Sequence, residues 1–67
     1  MTYYETTRER YKNASPEMRA ATRDHWTKCH RQNIESGRPD MIIFSAQILA
    51  GYDLIDADEA EHGRPKQ

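Results

Sequence analysis

Residues 38–57 read RPDMIIFSAQILAGYDLIDA and hold nearly all the large aliphatic side chains of a chain of 67 residues. The apolar residues recur at steps of three and four, which places them on one face of an α-helix. They are Met41, Phe44, Ile48, Tyr52 and Ile55. The spacing predicts a helix from Pro39 to about Ala60, with this face packed inside the fold.

A second apolar stripe lies about a third of a turn or more around the same helix, at the ~100° per residue of an α-helix. It consists of Ile42, Ala46, Leu49 and Ala50. A helix that is apolar over so much of its circumference is normally buried on more than one side. We therefore expect the second stripe to contact another copy of the chain, in a homodimer or a higher oligomer. Because the pattern continues past Gly51, it favours a helix that runs through this residue and lets another backbone approach closely.

The preceding segment carries clear start and stop signals for a second helix. Ser15 is a good N-cap and Pro16 suits the first helical position. Gly37 offers a left-handed end, so the helix is predicted over 16–36. With 39–60 it makes an antiparallel hairpin. Thr2 and Glu5 fit a capping box, which predicts a short first helix from Tyr3 to Lys12.

The predicted fold is therefore all-α, with the hairpin of 16–36 and 39–60 preceded by a short N-terminal helix. We expect one small domain over 1–61 and a flexible tail over 62–67. Domains of this size bury only about 60% of their unfolded surface, and many need additional support. The single Cys29 cannot form an internal disulfide. Oligomerisation is the expected support.

The second helix has two different sides. A weakly apolar face, expected to cover one side of the third helix, is formed by Met18, Thr22, His25 and Cys29. The other side is basic, and its residues are candidate contacts for a partner protein or a nucleic acid. They are Arg19, Arg23, Trp26, His30 and Arg31. Such a side is usually solvated, with the long arginine stems lying over a neighbour.

Charge is distributed unevenly along the chain. Residues 1–38 carry eight Lys/Arg against five Asp/Glu, a net +3, and residues 39–67 carry two against six, a net −4. This asymmetry predicts pairing of the two halves across an interface, or with a partner of complementary charge.

Few residues in the sequence are candidates for catalysis or for metal binding. His25 and Cys29 lie four residues apart and are the candidate metal ligands, but zinc prefers four ligands, and packing alone also explains the pair. The three glycines are isolated, and the acidic residues follow no calcium-loop spacing. We expect no catalytic activity, no metal and no cofactor.

Two functions remain open. The preferred one is a non-enzymatic protein-interaction module, a regulator, inhibitor or adaptor that binds itself and another protein. The alternative is a nucleic-acid-binding regulator that uses the basic helix 16–36 in a dimer. The sequence shows no apolar leader and no apolar run of the ~20 residues that cross a membrane, so the expected location is cytoplasmic, without membrane contact.

Overall fold

The structure, a computed structural model, describes residues 2–63. These residues form three helices, with no strand among them: α1 (Tyr3–Asn13), α2 (Pro16–Ser36) and α3 (Pro39–His62). The predicted all-α class and helical hairpin are confirmed. α3 ends slightly beyond the predicted end, and residues 64–67 of the predicted tail lie outside the described residues. Self-association stays a prediction.

The helix ends follow the capping signals in the sequence. The Thr2 hydroxyl accepts the Glu5 backbone N–H, and the Glu5 carboxylate accepts the Thr2 backbone N–H, which completes the capping box. The Ser15 hydroxyl accepts the Met18 N–H at 3.2 Å. Gly37 ends α2 with a φ of 65°, in the left-handed region that glycine adopts without strain. The three helices therefore begin and end close to where these residues predicted.

α3 runs without interruption through Gly51, as predicted. Within residues 2–63, the neighbour that approaches this glycine closely is a side chain and not another backbone. A Cβ atom placed on Gly51 would lie 3.1 Å from Cδ and 3.3 Å from Cγ of Arg8. Gly51 therefore leaves room for the stem of Arg8 to lie across α3.

α3 is the central helix, and the other two pack on different sides of it. α2 is antiparallel to α3, because Arg19 in its first turns contacts Glu59 and His30 further along contacts Ser45. α1 runs parallel to α3: its first residue, Tyr3, contacts Phe44, and Tyr11 near its end stacks on Tyr52. This arrangement leaves one side of α3 without a helix against it.

The core is small and largely aromatic. Its buried apolar residues are Tyr11, Ile48, Tyr52 and Ile55, and the side chains packed against them are Tyr4, Trp26, Phe44 and Leu49. The rings of Tyr11 and Tyr52 stack with their centroids 4.1 Å apart. Of the stripe predicted to face the core, only Met41 departs from the expectation, with 39% of its surface exposed.

The face of α2 that packs on α3 is not the one predicted. Met18 and His25, from the weakly apolar face, are exposed. The basic side faces α3 instead, because Arg19 and Arg23 meet carboxylates there and Trp26 packs edge-on against Phe44. Ion pairs, hydrogen bonds from His30 and Asn33, and the Trp26–Phe44 contact thus form this interface, in place of the aliphatic packing that the sequence pattern indicated.

Candidate functional site

Arg19, a predicted partner contact, is committed to contacts within the chain. Its guanidinium donates to both carboxylate oxygens of Glu59 at 2.8 Å and to Asp56 at 3.1 Å. It also donates to the backbone carbonyls of Tyr11 and Lys12, each at 3.0 Å. All five N–H donors of the arginine are occupied, and only 11% of the side chain is exposed. Arg19 therefore joins the end of α1 to the end of α3.

Arg23, the second predicted contact, lies one turn further along α2 and behaves similarly. It donates to the Tyr11 hydroxyl at 3.0 Å and to Asp56 at 3.0 Å, and it is ion-paired with Asp53. The hydrogen bond to Asp53 raises its pKa. We call the five charged residues together with Tyr11 the ionic cluster. Its members are Arg19, Arg23, Asp53, Asp56, Glu59 and Tyr11.

Tyr11 lies at the centre of the ionic cluster. Its hydroxyl donates to Asp56 at 2.7 Å, and its ring lies between the Tyr52 ring and the Arg19 guanidinium, whose carbon is 4.7 Å from the ring centroid. Burial raises the pKa of Tyr11, and the hydrogen bond to Asp56 raises it further. Burial also acts to raise the pKa of Asp56, but hydrogen bonds from Tyr11 and Arg23 outweigh it and hold that pKa below its ordinary value.

The remaining predicted contacts differ in how accessible they are. Trp26 is half-buried, and the Nδ1 atom of His30 lies 2.7 Å from the Ser45 hydroxyl. Ser45 is fully buried and also accepts a hydrogen bond from Asn33. A hydroxyl beside an imidazole resembles a nucleophile and its base, but no substrate can reach a side chain with 0% exposure. Of the five predicted contacts, only Arg31 is exposed.

Of the two candidate metal ligands on α2, His25 is exposed and Cys29 is half-buried. His25 Nε2 is 3.7 Å from Cys29 Sγ, as expected for residues one turn apart. Within residues 2–63, no group of three or more His, Cys, Asp or Glu side chains converges on a common point. The pair thus supplies two of the four ligands that zinc prefers.

The side of α3 that has no helix against it carries two exposed aliphatic side chains. Ile43 is 58% exposed and Leu54 is 71% exposed. At about 100° per residue these two lie on one line along the helix, with three smaller side chains close to it. We call this surface the outer face, formed by Ile43, Ala46, Gln47, Ala50 and Leu54.

The predicted self-association residues overlap the outer face only in part. Ala46 and Ala50 are exposed and belong to it. Ile42 and Leu49 are half-buried, and Leu49 packs against the core. Ile43 and Leu54 were not in the predicted set, although the helical spacing of Ile43, Ala50 and Leu54 was visible in the sequence.

A groove runs beside the outer face, between α1 and α3. It consists of two adjoining depressions of about 510 and 540 Å³ that share Glu5, Arg8, Gly51 and Leu54. The further charged side chains of its walls are Glu9, Lys12, Asp58 and Glu59. The outer face thus has an apolar centre and a charged margin.

No protein-family model matches the chain, and neither a search of curated proteins nor a search of solved structures found a similar protein. None of the helices described for residues 2–63 combines the length and apolar character of a membrane span. Function is therefore inferred from the surfaces of the molecule.

Proposed function

We propose that this protein is a small non-enzymatic interaction module, a regulator, inhibitor or adaptor that binds another protein through a self-associating helical scaffold. The observation that carries the proposal is the outer face of α3. Two large aliphatic side chains, Ile43 and Leu54, stand mostly exposed on one line, with two alanines and a glutamine between them. Contiguous apolar surface with a polar margin is typical of protein-binding sites.

The positions of the two side-chain pairs that could act as nucleophile and base support a binding role. The hydroxyl–imidazole pair of Ser45 and His30 is enclosed between α2 and α3 and holds the hairpin together. The thiol–imidazole pair consists of a half-buried Cys29 and an exposed His25, and neither residue lines the groove. The groove is instead lined by apolar residues, including Leu54 and Ile55, together with polar and charged side chains, a mixture that suits a polypeptide ligand.

The nucleic-acid alternative receives less support from the contacts of the basic helix. Arg19 and Arg23 are paired with carboxylates of α3, and Lys28 pairs with Asp24 on α2. Phosphate binding needs several free cations on one surface. On the described part of α2, Arg31 is the basic side chain without a carboxylate partner.

A capture experiment with two matched variants tests the proposal. The wild-type protein, Leu54→Asp and Met18→Asp are each immobilised and exposed to extract from the native host. The two variants add the same charge at exposed apolar sites, because Met18 is 59% exposed on α2. We expect a protein that is retained by the wild type and by Met18→Asp and lost with Leu54→Asp.

Two results would contradict the proposal. One is retention of the same proteins by all three baits, which would show that the outer face is not used. The other is salt-dependent retention of the wild type on duplex DNA that is weakened by Arg31→Ala, which would favour the nucleic-acid alternative.

A further inference from the structure

We infer that the groove between α1 and α3, together with Leu54 on the outer face, holds a cationic amphipathic helix of a partner protein. This inference rests on the proposed function and adds the chemistry of the partner. Leu54 also belongs to the face that is expected to self-associate, so one copy does not use it for both contacts at once.

The groove has the length and the lining that a packed helix requires. It extends along α3 from Gln47 to Gly63, and a rise of 1.5 Å per residue makes this length about 24 Å, or about four helical turns. Ala50 and Leu54 lie on its α3 wall. The small side chain of Ala50 lets the axis of another helix approach closely, and Leu54 offers it a large apolar contact.

The walls of the groove favour a helical occupant over an extended one. Both walls are helices, whose backbone N–H and C=O groups are bonded within each helix. An extended segment would find no sheet edge to pair with, because residues 2–63 contain no strand. A helix satisfies its own backbone groups and binds through side chains alone.

The α3 margin of the site is acidic at both ends. Asp40, Asp58 and Glu61 lie within about 40° of Leu54 around the helix axis, at ~100° per residue. Within residues 2–63, none of the three pairs with a lysine or an arginine. Asp58 and Glu61 have only His62 nearby, at 3.7 and 3.9 Å.

α1 continues the acidic margin on the opposite wall of the groove. Its carboxylates there are Glu5 and Glu9, and its basic residues there are Arg8 and Lys12. Glu59 also lines the groove but is paired within the chain. The three carboxylates on α3 and the two on α1 thus surround the site with only two basic side chains among them. A helix with lysines or arginines beside its apolar face complements this excess, and an acidic helix is repelled by it.

Two synthetic peptides test the charge of the occupant. Each has about 16 residues, enough to span the groove as a helix, with leucine at helical spacing on one face. The other faces carry lysine in one peptide and glutamate in the other. Fluorescence anisotropy at low salt measures the binding of each peptide to the wild type. We expect the lysine peptide to bind at least about tenfold more tightly than the glutamate peptide, and added salt to weaken its binding.

Two matched variants test whether the lysine peptide binds at this site. Asp58→Lys and Glu35→Lys each change the net charge from −1 to +1, but Glu35 is exposed on α2, away from the groove. Lysine near the end of a helix suits the dipole, so both variants should keep the wild-type circular dichroism. We expect Asp58→Lys to weaken binding of the lysine peptide about fivefold, and Glu35→Lys to change it by less than about twofold.

Three results would overturn this inference: no binding of the lysine peptide, equal binding of the two peptides, or an equal loss in Asp58→Lys and Glu35→Lys. The capture experiment with Leu54→Asp judges the proposed function separately. A captured protein that is lost with Leu54→Asp, but whose binding segment has no excess of lysine and arginine, would support the proposed function and overturn the inference of a cationic helix.

Discussion

At the scale of single residues, Arg19 links all three helices. Its guanidinium caps the last carbonyls of α1, binds the Glu59 carboxylate with two hydrogen bonds and stacks over the Tyr11 ring. A planar fork with five fixed donors can make these contacts together, and an ammonium group cannot. A residue predicted to contact a partner protein or a nucleic acid thus holds the three helices together.

Replacement of Arg19 tests this role. Arg19→Ala removes two hydrogen bonds to Glu59, the contact with Asp56 and the hydrogen bonds to two carbonyls of α1, so we expect the free energy of unfolding to fall by about 2–4 kcal/mol. Arg19→Lys should recover only part of this loss. Urea titration followed by circular dichroism measures both. Arg31→Ala, at an exposed site, should change stability by less than about 0.5 kcal/mol, and an Arg19→Ala effect as small as this would contradict the role.

The ionic cluster also predicts how stability depends on pH. In the folded protein the pKa of Asp56 lies below its ordinary value of 3.8. The contribution of Asp56 to the free energy of unfolding is therefore complete above pH 3.8 and is lost as the pH falls through the pKa of the folded state. In the folded protein the pKa of Tyr11 lies above its ordinary value of 10.0. The contribution of Tyr11 to the free energy of unfolding is therefore complete below pH 10 and is lost as the pH rises through the pKa of the folded state.

The urea concentration at the midpoint of unfolding should therefore be constant near neutral pH and should decrease at both acid and alkaline pH. Tyr11→Phe removes the hydroxyl that bonds to Asp56, and it should reduce both the acid and the alkaline loss. Part of the alkaline loss should remain, because burial also raises the pKa of Tyr52. Acid and alkaline losses as large in Tyr11→Phe as in the wild type would show that this hydroxyl has no such role.

At the scale of elements, α3 combines three different surfaces on one helix. Its aromatic and aliphatic residues meet α1 and the core, its carboxylates meet α2, and its outer face has no helix against it. Gly51 belongs to the first surface, where the stem of Arg8 crosses the helix. Because Gly51 has no side chain, the Arg8 stem can lie close to the helix, but glycine favours a helix less than alanine does.

Substitution at Gly51 measures the two effects separately. Alanine favours a helix by about 1 kcal/mol over glycine, but its Cβ would meet the Arg8 stem at 3.1 Å. Because Arg8 is exposed and can shift, we expect Gly51→Ala to stabilise the fold by about 0.5 kcal/mol. In an Arg8→Ala background the gain should approach about 1 kcal/mol. Equal gains in the two backgrounds, by urea titration, would show that Arg8 does not restrict this site.

The helices and their ends were predictable from sequence, because capping is a local property. Ser15, Pro16 and Gly37 set the limits of α2 by their own backbone and side-chain chemistry. The face of α2 that packs on α3 was not predicted. Judged by hydrophobicity alone, the face with Met18 and Cys29 is a better candidate for burial than the face with two arginines. Hydrophobicity alone does not take into account that an arginine can be buried when a carboxylate on the facing helix pairs with it.

A signal for the correct α2 face was nevertheless present in the sequence. In a hairpin that turns near Gly37, residues at equal distances from the turn lie opposite each other. Arg19 then faces Asp56, and His30 faces Ser45, as the structure shows. Combining the turn position with charge would have identified this interface, and the uneven charge of the two halves already indicated such pairing.

At the scale of the whole molecule, the described residues form an elongated bundle with principal extents of 41 × 25 × 19 Å. The basic half and the acidic half neutralise each other in part across the hairpin. A chain this small has limited capacity to stabilise itself by burial, yet it leaves Ile43 and Leu54 exposed. Covering the outer face with another chain would add to this limited burial.

The most direct measurement is the solution mass of the wild type and of Leu54→Asp by sedimentation velocity, over a range of micromolar concentrations. We predict that the wild type approaches at least twice the 7.9 kDa of one chain as concentration rises, whereas Leu54→Asp stays at the mass of one chain with unchanged helical content. A wild type that remains a compact monomer throughout, or a Leu54→Asp variant that associates as the wild type does, would contradict the central claim that the outer face of α3 is an interaction surface.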